Sequence, residues 1–128
     1  MYPDNTAILN NLIYSLASSK ETVSEAGRLL PLLLEKKDIN ASAYDSAAFV
    51  SFRLHQQDKA NEYLKRALSM LDPDKDKSWY EYALNAAEVA VNEGLRNDAR
   101  KILEQIQVAP RQDLIPKARM KKIADQLE

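Results

Sequence analysis

Catalysis and metal binding need side chains that converge, and this chain offers few places where they could. Its single histidine, His55, stands beside Gln56 and Gln57 with no nucleophile, orienting acid or second ligand at a useful spacing. It therefore reads as a surface turn residue rather than a zinc ligand or general base. Asp72-Pro73-Asp74-Lys75-Asp76-Lys77 gathers three carboxylates, but it lacks the turn glycine and closing glutamate of a calcium hand and reads as a solvated linker. The absence of cysteine removes thiol catalysis, disulfides and the common structural zinc sites, and two glycines cannot make a glycine-rich phosphate loop. No catalytic residue, metal or cofactor is expected. Tyr14, Phe49, Phe52 and Arg53 are of the types that anchor interfaces, since rigid aromatics and a forked guanidinium give much contact for little lost entropy, although aromatics on helices more often pack against neighbouring helices.

The elements that must carry them are helices. With 128 residues, 45% of them hydrophobic, the chain is long enough for one domain with a real core. Its two glycines and five prolines, beside abundant Ala, Leu, Lys, Glu and Asn, favour an all-α fold over strands and turns. Eighteen basic and nineteen acidic residues leave a net charge of −1, so there is no global field to hold nucleic acid. The most apolar run, Leu29 to Leu34, is far short of the roughly 20 residues of a membrane helix, and direct membrane insertion is not expected. The composition fits cytoplasm or periplasm equally.

A helix hairpin recurs along the chain. The second helix of each hairpin begins near a small residue, at Ala26, Ala60 and Ala99, separated by 34 and 39 residues. The longer spacing carries its surplus in the polar stretch from Asp72 to Ser78. Second helices read Ala26, Leu30, Leu33, Leu34; Ala60, Tyr63, Leu64, Ala67, Leu68, Leu71; and Ala99, Ile102, Leu103, Ile106. First helices read Leu9, Leu12, Ile13, Leu16; Tyr44, Ala47, Ala48, Ser51; and Ala83, Ala86, Ala87, Ala90. Spacings of three and four make one apolar stripe on each. Thr22 with Glu25 and Ser78 with Glu81 have capping-box spacing, and Asp58 and Asn97 are the expected starts of the other second helices. Gly94 is expected to take the left-handed conformation in the turn of the third hairpin. The predicted units are 5–40, 41–73 and 78–109, followed by a capping helix over 113–127 in which Met120, Ile123, Ala124 and Leu127 share a face.

On these residues the chain resembles the tetratricopeptide repeat family, whose unit reads Trp-x-x-Leu-Gly-x-x-Tyr, then Ala-x-x-x-Phe, then Pro. The second repeat matches best, through Tyr44, Ala47, Ala48 and Ser51, then Ala60, Leu64 and Ala67, with Asp72-Pro73 closing the unit. Departures are Ile13 in place of a small residue, an extra residue near Ser19-Lys20, and no Trp at the family's position. The resemblance implies a right-handed α-solenoid whose first helices line a concave groove for a peptide or partner protein. By register it would place Asn10, Tyr14, Asp45, Phe49, Phe52, Arg53, Leu84, Glu88, Val91 and Asn92 in that groove. A clamp for a C-terminal carboxylate is disfavoured, because the first helices offer Asn10, Asn11, Asn85 and Asn92 but only Arg53 as a strong cation. Pro3 falls in register with a closing proline, so the chain is expected to be part of a longer array. The other expectation is a structural spacer that self-associates through its terminal helices.

Three further features lie outside that pattern. Pro31 inside its helix should clash with the carbonyl of Gly27 and kink the helix. Trp79 is expected to pack under the long loop that precedes it. Arg111, Lys117, Arg119, Lys121 and Lys122 form a local basic stretch that suits either a helix end or an acidic partner.

Overall fold

The computed structural model describes residues 4–128. Among them, α-helices run over Thr6–Ala17 (α1), Val23–Leu34 (α2), Ala41–Arg53 (α3), Gln57–Ser69 (α4), Lys77–Asn92 (α5), Arg96–Gln107 (α6) and Lys117–Asp125 (α7). A 3-10 turn spans Gln112–Leu114, and no strand occurs among the described residues. The fold is all-α with neighbouring helices packed on one another, as the 3.6-residue periodicity requires. The expectation placed on Pro3 lies outside the described residues.

Two compact units divide the chain, Met1–Ala67 and Leu68–Glu128, with the boundary inside α4. In the first, α1 packs on α2, and α3 lies against both. In the second, α5 packs on α6, and α7 lies against both. In each unit a helix pair is thus contacted by a third helix.

The core of the first unit joins Leu9, Ile13 and Ala17 of α1, Ala26, Leu29, Leu30 and Leu33 of α2, and Ala43, Ala47 and Val50 of α3. Burying each large aliphatic side chain contributes about 1.5–3 kcal/mol, and alanines at the crossings let backbones approach closely. Small residues expected at the starts of the second helices, Ala26, Ala60 and Ala99, are all fully buried. Nine of the thirteen residues of α3 are buried, so this helix is enclosed nearly all round instead of showing one apolar stripe.

Turn chemistry repeats with the helices. His55 (φ 58°) and Gly94 (φ 77°) both adopt the left-handed conformation at the ends of α3 and α5. Each sits in a Schellman motif: the N–H of Gln56 donates to the Ser51 carbonyl and that of Leu95 to the Ala90 carbonyl, both at 2.8 Å. His55 and Gly94 themselves donate to Phe52 and Val91, both at 3.0 Å. Corresponding atoms in the two turns are all 39 residues apart. The link from α1 to α2 is longer, five residues instead of three, and contains no left-handed residue.

Helix starts differ from the expected capping boxes. Thr22 turns its hydroxyl away from α2 and donates to the Leu16 carbonyl at 2.6 Å, so it ties down the end of α1. Ser78 lies inside α5, which opens at Lys77 after Asp76, because the Asp76 carboxylate accepts from Asp72 N–H and closes the preceding loop. Side-chain caps come instead from Asn5, which accepts from Ile8 N–H, and Asn40, which accepts from Ala43 N–H, both at 3.0 Å. The starts expected at Asp58 and Asn97 fall one residue inside α4 and α6.

Beneath the loop before α5 lies Tyr80, not Trp79. Its hydroxyl donates to the Pro73 carbonyl at 2.7 Å and accepts from Arg111 N–H at 2.8 Å. Trp79 stays half-buried, edge-on to the Tyr80 ring at 4.9 Å. Helical phase decides between them: Tyr80 shares a face with Ala83, Leu84 and Ala87, all fully buried. α2 runs through Pro31 from Val23 to Leu34. On the same helix a Cβ at Gly27 would stand 2.8 Å from Leu54 Cδ1, so the glycine makes room for that side chain.

Candidate functional site

In the first unit, helical spacing brings Asn10 and Tyr14 onto one face of α1, and Asp45 and Phe49 onto one face of α3. The two faces meet. The Asn10 amide donates to Ser42 Oγ at 3.1 Å, and the Tyr14 and Phe49 rings lie 4.8 Å apart at a tilt of 41°. Asn10 and Asp45 are each only 8% exposed and form the floor, whereas Tyr14 is 44% exposed and rises from it. Asn10 Oδ1 is buried without a hydrogen-bond partner, leaving an acceptor on this face. Ser42 belongs to the same surface, and its place one turn before Asp45 and Ser46 was the sequence signal for it. Chemically the face combines an aromatic pair with amide and carboxylate groups, suited to contact and hydrogen bonding.

Phe52 does not belong to that surface. It is fully buried, because α3 is enclosed on more sides than a single stripe implies, and its ring cannot meet a partner. Arg53 is half-buried and already engaged in an interaction of its own.

In the second unit Leu84 is likewise fully buried, packed in the same interior row as Tyr80, Ala83 and Ala87. This corrects its placement in a groove. Glu88 and Val91 are half-buried and Asn92 is exposed. Here α7 lies over the first-helix face: Arg119 donates to Asn85 Oδ1 at 2.6 Å and stands 3.6 Å from the Glu88 carboxylate. Glu88 and Asn92 share a small recess of about 250 Å³ with Lys122, Ile123 and Gln126 of α7. The basic stretch is thus partly spent on internal contacts. Arg111 grips Asp113 through two hydrogen bonds of 2.8 and 2.7 Å, and Lys121 pairs with Asp125 on its own helix. The guanidinium beside it holds the Asp113 carboxyl below its ordinary range.

Among the described residues no group of three or more His, Asp or Glu could hold a metal ion. His55 is exposed in its turn, and two of the loop carboxylates bond to backbone: Asp72 accepts from Asp74 N–H at 2.9 Å and Asp76 from Asp72 N–H at 2.8 Å. No described helix is long and apolar enough to cross a membrane. Comparison with protein-family models, with curated proteins and with solved structures gives no match.

Proposed function

We propose that the chain is a tetratricopeptide-like right-handed α-solenoid segment that works without catalysis, holding a peptide or partner protein against the exposed face of its first helices. The repeat reading is supported by two Schellman turns with corresponding atoms 39 residues apart and by the helix-pair-plus-helix arrangement in each unit. The observation that carries the functional reading is Tyr14, a large aromatic 44% exposed, braced on Phe49 above the polar floor of Asn10 and Asp45. A pre-positioned aromatic with hydrogen-bonding neighbours is the type of group that dominates interface energy.

The experiment is recovery of partners from source-cell lysate by the wild-type chain, by Tyr14→Asp, and by Val108→Asp, an 84% exposed position of the second unit. All three should show the same helical circular dichroism. The Tyr14 variant is expected to lose its partner at least tenfold, about 1.4 kcal/mol, while the Val108 variant keeps it. Equal recovery by the two variants would reject the groove reading. If mass measured by light scattering then rises with protein concentration, the alternative of a self-associating spacer takes its place.

A further inference from the structure

A second concavity, of about 360 Å³, opens in the first unit and shares no residue with the face of Tyr14 and Phe49. Its apolar walls are Leu30, Pro31 and Leu34 of α2 with Val50, Leu54 and Tyr63. Arg28 and Lys59, both exposed, stand at its rim, and none of the residues lining it is acidic. Ser51 lines it too. That serine is 1% exposed, and its hydroxyl has no hydrogen-bond partner. A buried hydroxyl normally finds one, so an unpartnered one in the wall of an open recess points to a polar group that arrives from outside.

The recess is at the small end of ligand-sized cavities, and its lining is about evenly apolar and polar, with Ser24, Gln56 and Ser51 beside the two cations. Arg28 shares its charge with Glu25 at 3.4 Å, so the rim suits one acid group and not a polyanion. Gly27 also lines the recess, and a Cβ there would press on the tip of Leu54, which forms the facing wall.

We propose that this recess binds a small carboxylic acid with an apolar body, of which a medium-chain fatty acid is the simplest example. The aliphatic part lies along Leu34, Leu54 and Tyr63. The carboxylate accepts from the Ser51 hydroxyl, and Lys59 and Arg28 supply the countercharge. A neutral molecule of the same shape leaves these cations unused.

Sodium octanoate is the probe, titrated into the full chain and followed by amide chemical shifts, with 1-octanol as the uncharged comparison. Saturable shifts at Ser51, Leu54 and Tyr63 are expected, with octanol at least tenfold weaker. Ser51→Ala and Lys59→Glu should each weaken octanoate at least tenfold. Removing an unpaired buried hydroxyl should leave the thermal midpoint of Ser51→Ala unchanged or higher. Absence of saturable shifts at millimolar octanoate, or undiminished affinity in Ser51→Ala, would overturn the proposal. So would a lowered midpoint with undiminished affinity, which is the behaviour of a purely structural hydroxyl.

Discussion

At Tyr80 a single phenolic oxygen satisfies the Pro73 carbonyl and the Arg111 N–H together. Tyr80→Phe keeps the ring and removes both bonds, so urea unfolding is expected to show a loss of about 1–3 kcal/mol. Asp113 supplies a pH-dependent counterpart. Because its carboxyl is held low by the hydrogen bonds and charge of Arg111, its contribution to stability is complete above the ordinary carboxylate range and disappears as pH falls through the depressed value. Arg111→Ala should raise the Asp113 pKa toward that ordinary range in a carboxyl-carbon NMR titration, with the backbone hydrogen bond and Lys117 still holding it down, and no change would mean that the pair does not persist in solution. Tyr14 and Phe52 mark the limit of residue-level reading. Both are aromatics off the main apolar stripe, yet one is exposed and the other fully buried, because residue type does not reveal how many neighbours surround a helix.

Among the elements, the two Schellman turns make a matched pair with different occupants. A side chain at Gly94 would meet nothing within 4 Å, so Gly94→Ala tests backbone conformation alone. It should cost about 1–2 kcal/mol, the penalty of a Cβ in the left-handed region. His55→Gly at the equivalent place should change stability in the opposite direction by a smaller amount, since glycine relieves the cost of positive φ but adds conformational freedom to the unfolded chain. Chemical denaturation of both variants checks the pair, and equal signs would contradict the equivalence. Glycine's freedom made the second turn legible from sequence. The first was legible as a turn at His55 but not as a left-handed one, because residues other than glycine seldom take positive φ. Helix starts were harder to read for a related reason: Thr22 and Asp76 each had another backbone group within reach and bonded to that instead.

For the whole molecule, nearly balanced charge is the property with the plainest consequence. A net charge of −1 predicts that the chain passes through heparin unretained near physiological salt, about 0.15 M. Retention would reveal a cationic surface stronger than the basic stretch provides once Arg111, Arg119 and Lys121 are engaged with their own neighbours. In the second unit α7 and the residues after it lie against α5 and α6: Ile123 of the helix and Leu127 beyond its end are buried, while Arg119 spans to α5.

Helix content, the spacing of buried alanines and the turn at Gly94 were determined by sequence alone, since they depend on interactions within a few residues of each other. Burial of Phe52 and Leu84 and the cover that α7 places over Glu88 were decided only in the tertiary structure. Periodicity shows which side of a helix is apolar. How many of its sides other helices occupy depends on contacts between residues distant in the chain.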